Sequence, residues 1–144
     1  MRILGIDYGE ARVGIAISDA LNITAQGLET IQRNNSDKVV LRRLDEIFEE
    51  YEVDTIIVGM PLNMNGTISE RAKITQQFIH KLKCKYNKMK IDTIDERLTT
   101  VEAHKTMNFL DVNKNKKKNI VDTISAVYIL ETYLNKIKNT LKND

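Results

Sequence analysis

The sequence predicts an α/β domain built on a mixed five-stranded sheet with helices on both faces. Three observations carry this expectation. Apolar runs separated by short turns fill residues 3–32. From residue 36 onward, helical periodicity alternates with short β-branched runs, and a long apolar stripe at helical spacing closes the chain. A hairpin block followed by strand-helix units gives a sheet that is antiparallel at one side and parallel at the other.

Ile3, Leu4 and Ile6 form the first strand, which closes on Asp7; VGIAIS at 13–18 forms the second, joined through a turn over residues 9–12. A third strand over 23–32, weakened by Gly27, completes an antiparallel meander. Ser36 is a helix N-cap with Asp37 in the first turn. Val40, Leu44, Ile47, Phe48 and Tyr51 then recur at helical spacing, predicting a helix over about 37–51. DTIIVG at 54–59 reads as a buried parallel strand stopped by Gly59 and Pro61. Ser69 caps a helix to about residue 85 with the apolar stripe Ile74, Phe78 and Leu82. KIDTID at 90–95 is the last strand. TTVE at 99–102 has the form of a capping box for a helix to about Asn108. Residues 109–118 read as a loop, and the final helix follows, opened by Asp122.

The 144 residues suit one domain spanning 1–144, with 42% hydrophobic and 29% charged residues in an ordinary globular mix. Cys84 is the only cysteine, which excludes an internal disulfide and suits a reducing cytoplasm. His80 and His104 lack a zinc-like spacing and read as surface residues. No apolar run approaches a membrane span, and no leader is expected ahead of MRILGID. A net charge of +2 is too small to imply nucleic acid, yet lysine concentrates in 81–90 and 114–118.

Sites in such sheets collect at the carboxyl ends of the parallel strands. Asp7 ends the first strand, the Asp95/Glu96 pair ends the last, and Asp122 is carried by the final helix toward the same edge. Carboxylates forced together repel, and desolvation adds to the cost. A hard divalent cation, Mg²⁺ or Mn²⁺, relieves both because it takes oxygen ligands. Two such ions about 3.5–4 Å apart hold a phosphodiester for in-line attack by water. Each acid also has a plainer reading: Asp7 as a turn former, Asp122 as a complement to a helix N-terminus, Glu96 as an ion-pair partner of Arg97. Other features suit a phosphate-rich substrate. The loop of VGMPLNMNGT, with Asn63 and Asn65, offers backbone N–H groups but lacks the Lys of a Walker loop. Arg12 and Arg97 flank the acids as phosphate clamps, and Lys116, Lys117 and Lys118 precede Asp122 as backbone contacts. Tyr8 either stacks on a base or packs on the sheet.

Together GIDYGEARVGIAISD, IIVGMPLNMNGT, DERLTTVEA and VDTISAVYILETYL resemble the YqgF family of pre-16S rRNA nucleases and Holliday junction resolvase-like proteins. The resemblance implies a ribonuclease H-like fold and a divalent-metal-dependent hydrolase acting on nucleic acid. It points to Asp7, Glu96 and Asp122 as catalytic and metal-binding acids, with Asp95 as the neighbouring alternative. In many ribonuclease H-like nucleases the strand beside the first one ends in an acid; here it ends in VGMP, so the acid must come from the outer strand. The family's substrates are structured RNA, in maturation of the small-subunit ribosomal RNA, or branched DNA. Symmetric cutting of a four-way junction needs two sites, and the chain is expected as a monomer or weak homodimer. Two other classes compete. GIDYG also resembles the first phosphate motif of actin-like and sugar-kinase ATPases, which need two lobes where this chain supplies one. A non-catalytic nucleic-acid binding module would use the lysines alone and need no acids.

Overall fold

The computed structural model describes residues 1–96 and 114–142, with backbone alone for 114–121, 141 and 142. The predicted capping box and helix over 99–108, together with Arg97 and His104, lie outside the described residues.

Strand β1 (Arg2–Tyr8), β2 (Arg12–Ser18) and β3 (Ala25–Gln32) form the antiparallel meander. Then come α1 (Asp37–Glu50), β4 (Val53–Met60), α2 (Glu70–Lys85), β5 (Lys90–Asp95) and α3 (Lys114–Lys142). The sheet order is β3-β2-β1-β4-β5, with β1, β4 and β5 mutually parallel. The register shift between Ile15 and Ala16 leaves Leu28 as the extra residue of β3, next to Gly27.

Alternation along the strands divides the core in two. Leu4, Ile6, Val13, Ile15, Ile56 and Val58 face α1 and α2, packing with Leu44, Ile47, Phe78 and Leu82. Ile3, Ala16, Ile57 and Ile94 face α3, packing with Ala126, Ile129, Leu130 and Tyr133. The sheet is therefore buried on both faces, and the β-branched runs of β1, β2 and β4 follow from that.

The α3 face of the sheet is small. A Cβ placed on Gly14 would lie 2.0 Å from the Asp122 carbonyl oxygen, and one on Gly5 2.9 Å from the Leu130 Cβ. Glycine at these strand positions lets a helix backbone sit almost on the sheet, and this close seat brings Asp122 over β2.

Three expectations are corrected. The run 114–118 is the start of α3, not a loop: it contains no Gly or Pro, and lysine is a good helix former. Asp122 thus stands more than two turns inside the helix rather than opening it. Ile74 is 48% exposed, and α2 instead buries Ala72, Thr75, Phe78, Ile79 and Leu82. The buried stripe is shifted around the helix because Thr75 satisfies its hydroxyl on the Arg71 carbonyl at 3.0 Å.

Candidate active site

Asp7 is the penultimate residue of β1 and points to the α3 face, one residue beyond Ile6 and two beyond Gly5. It is buried, and its Oδ1 is the one buried side-chain polar atom without a hydrogen-bond partner among the described residues. Burial pushes its carboxyl well above the usual carboxylate range; a side-chain hydrogen bond with Glu96 and the Glu96 charge add to the rise, and Arg71 opposes it. A hydrogen bond between two carboxyl groups requires one proton shared between them.

Glu96 comes from the residue after β5, on the far side of β4 from Asp7. The parallel register pairs Ile6 with Val58, so Gly59 lies level with Asp7, and Gly59 pairs with Ile94 of β5. A Cβ on Gly59 would meet Glu96 Cγ at 2.7 Å and Cδ at 3.0 Å. Gly59 is thus the gap across which Glu96 reaches Asp7. Alternation puts Ile94 on the α3 face and Asp95 on the opposite one, and Glu96 returns to the α3 face, buried beside Gly59.

Asp122 completes the edge from α3. Its Oδ2 accepts from Arg12 Nε at 2.8 Å. Burial raises its carboxyl pKa, and the negative charge of Asp7 contributes in the same direction, against the pull of Arg12. The three predicted acids therefore feel one another as a chain, Glu96 to Asp7 to Asp122. Among the described residues no three acidic, histidine or cysteine side chains form a ready-made ligand cluster; Asp122 is engaged by Arg12. The donor set nevertheless fits a hard cation: carboxyl oxygens only, one of them buried and unbonded.

The other predicted site residues fall as follows. Arg12 is at the edge but spends its Nε on Asp122 rather than standing open. Asn63 and Asn65 build their own loop: Asn63 Nδ2 donates to Thr67 Oγ1 at 3.0 Å, and Asn65 Oδ1 accepts from the Thr67 backbone and hydroxyl. Gly66 closes that turn at φ 84°, in the left-handed region. Lys116, Lys117 and Lys118 lie on the first turns of α3, upstream of Asp122 on the same helix. Tyr8 takes the packing reading: it is buried, stacks on Phe78 with centroids 4.2 Å apart, and its hydroxyl donates to Asp37.

Arg71 went unread in the sequence, and Gly59 was read only as the stop of a strand that in fact runs through it to Met60. Gly59 had a signal, an isolated glycine in an otherwise β-branched strand, which marks a close approach. Arg71 had none, because an arginine in the exposed first turn of a helix reads as solvated surface.

A β3-β2-β1-β4-β5 sheet with helices on both faces and carboxyl groups gathered at the ends of β1 and β5 defines a domain of the ribonuclease H-like class. Its fold is shared by Thermus thermophilus RuvC in complex with a Holliday junction substrate (TM-score 0.57, 10% identity, 96% of each chain covered). It is shared equally by the fowlpox virus Holliday junction resolvase (TM-score 0.57, 16% identity, 95% of this chain and 99% of that one). The chain belongs to the RuvX family, described as Holliday junction resolvase, whose model matches residues 1–136. A relative from Ruminiclostridium cellulolyticum is 52% identical over 143 residues, covering 99% of this chain and 100% of its own. One from Acetivibrio thermocellus is 52% identical over 134 residues, covering 93% and 95%. Both carry the name "putative pre-16S rRNA nuclease". The chain is accordingly a member of a nuclease family, hydrolases of phosphodiester bonds, and no described helix is long and apolar enough to cross a membrane.

Proposed function

We propose that this chain is a divalent-metal-dependent nuclease acting in 5′-end maturation of pre-16S ribosomal RNA, with Asp7, Glu96 and Asp122 as its catalytic acids. The observation that carries the reading is the buried, unbonded Asp7 oxygen in a carboxyl pair with Glu96. Without a cation this arrangement is costly twice over, in desolvation and in the unmade hydrogen bond. Asp7 and Glu96 would hold the cation, Asp122 would join them on leaving Arg12, and Mg²⁺ or Mn²⁺ suits an all-oxygen set. When bound, the ion supplies charge neutralisation and Lewis acidity toward a phosphodiester.

The protein's own part is positional. Gly59 keeps open the path by which Glu96 meets Asp7, and the close seat of α3 on Gly14 fixes Asp122. Arg12 holds Asp122, and its remaining guanidinium N–H groups would meet a phosphate at the same edge. Lys116, Lys117 and Lys118, on the same helix upstream of Asp122, would contact the backbone of a nucleic acid. A cytoplasmic location accords with this substrate.

The test is cleavage of a pre-16S RNA 5′ precursor segment and of a four-way DNA junction, each with Mg²⁺, with Mn²⁺ and with chelator. Cation-dependent cutting of the RNA, abolished by Asp7→Asn, is expected. Cutting of the junction alone supports the resolvase reading that the family description names. Salt-sensitive binding without cleavage, unaffected by loss of all three acids, supports a binding module and overturns the enzyme.

A further inference from the structure

Beside the acids, a cleft of about 600 Å³ opens between the β1–β2 turn and the first turns of α2. Tyr8, Gly9, Glu10, Arg33, Glu70, Arg71, Ile74 and Thr75 line it, so two carboxylates share its wall with two arginines. Its floor begins with the two residues that follow Asp7 in the chain, so whatever fills it lies against the candidate site.

Its cations differ in how they are used. Arg33 is committed: its Nε donates to Asp37 at 2.8 Å, and its guanidinium lies 5.3 Å from the Tyr8 ring centroid. Arg12, across the edge, is paired with Asp122. Arg71 forms no ion pair or side-chain hydrogen bond among the described residues, yet its charge is felt by both Asp7 and Asp122. Glu70, on the same wall, pairs with Lys73 at 3.2 Å. One turn further along α2, Ile74 stands 48% exposed on the same wall. An uncommitted guanidinium and an exposed apolar side chain, one helical turn apart in a cleft of ligand size, match a phosphate joined to a nucleoside.

We propose that this cleft is the subsite for the nucleotide flanking the cleaved bond, with Arg71 gripping its phosphate and Ile74 packing on its sugar and base. The inference rests on the nuclease reading for its substrate class, but binding alone decides it. Guanidinium pairs bidentately with phosphate oxygens, and a single such contact carries a defined salt signature.

The experiment uses the full chain carrying Asp7→Asn, in chelator, so that cleavage plays no part. The probe is a fluorescently labelled RNA hairpin with a single-stranded 5′ extension, titrated across about 50–200 mM salt. Arg71→Ala should weaken binding about tenfold, the scale of one charge-assisted contact, and flatten the plot of log K against log salt by about 0.7–0.9. Arg71→Lys should keep the slope, losing only part of the affinity. Ile74→Ala should weaken binding a few-fold with the slope unchanged. Lys83→Ala, an exposed lysine at the far end of the same helix, is the control for general surface charge. Equal slopes for Arg71→Ala and its parent, equal effects of Arg71→Ala and Lys83→Ala, or no binding of the hairpin by the parent each overturn the subsite. Failure of the wild-type protein to cleave while these binding effects hold sinks the nuclease reading and leaves the cleft standing as a nucleotide-binding site with no bond to flank.

Discussion

Asp7 and Asp37 sit at opposite ends of carboxylate behaviour. Asp7 is buried with one oxygen unbonded and its pKa raised, so the folded, cation-free protein holds its proton more tightly than the unfolded chain does. The sign follows from linkage: stability associated with Asp7 is complete below the unfolded value of about 3.9 and is lost as pH rises toward the higher folded value. Asp7→Asn should therefore raise the melting temperature of the cation-free protein by several degrees at pH 7, with the gain vanishing near pH 4, while eliminating cleavage. Thermal melts in chelator across that range check it; adding Mn²⁺ should stabilise the parent and not the variant. For Asp37, burial works against ionisation, but Lys81, Tyr8 and Arg33 outweigh it and hold the carboxyl below the usual range. Lys81 and Arg33 lie 2.7 and 2.8 Å from its oxygens. Its contribution is present above about pH 3.9 and is lost as pH falls through the folded value. Asp37→Asn should cost about 2 kcal/mol at pH 7, a difference that denaturant titration should find shrinking in acid. Asp7 was legible in the sequence because a carboxylate closing an apolar strand is anomalous wherever it occurs. Arg71 was not, because its meaning depends on which neighbours have already taken the other arginines.

At the scale of elements, the glycines on the α3 face decide geometry that no periodicity shows. The strands and helices themselves were readable from alternation, caps and apolar spacing, and Ser69 does cap α2, its Oγ accepting from the Ala72 N–H at 3.0 Å. What the pattern misplaced were positions where two signals conflict. Ile74 fits the helical stripe but loses its buried place to Thr75, whose hydroxyl is satisfied within the helix. Residues 114–118 look like solvated loop by charge but are helical by propensity. Gly14 and Gly59 separate two consequences of close approach. In Gly14→Ala the new methyl would meet the Asp122 backbone carbonyl, which cannot move without α3, so a loss of about 3 kcal/mol is expected. In Gly59→Ala it would meet the side chains of Ile129 and Glu96, which can shift. That variant should lose only about 1 kcal/mol in a denaturant titration, yet about a hundredfold in cleavage rate, because Glu96 is displaced from Asp7 by roughly an ångström. Stability and single-turnover kinetics measured side by side separate the two.

At the scale of the whole molecule, the sheet divides labour between its faces. The α1/α2 side is large and mostly aliphatic and carries only Asp95 of the candidate acids; the α3 side is thin, glycine-lined, and holds Asp7, Glu96 and Asp122. A β1 strand shared by both faces makes the division workable, since Leu4 and Ile6 anchor it from one side while Asp7 is presented on the other. The two faces should then respond differently to equivalent damage. Leu44 of α1 and Leu130 of α3 are both fully buried, and truncation of either to alanine should cost about 3 kcal/mol. Well below the melting transition, Leu44→Ala should leave the cleavage rate per folded molecule within about twofold of the parent, because Leu44 packs in the α1/α2 core rather than against α3. Leu130→Ala loosens the seat of α3 on Gly5, and with it the position of Asp122. It should lower kcat by at least tenfold at a similar loss of stability, on the order of what small misplacement of a reacting group costs. Equal kinetic losses in the two variants would mean that α3 is ordinary core, and that Asp122 does not depend on it for its place at the site.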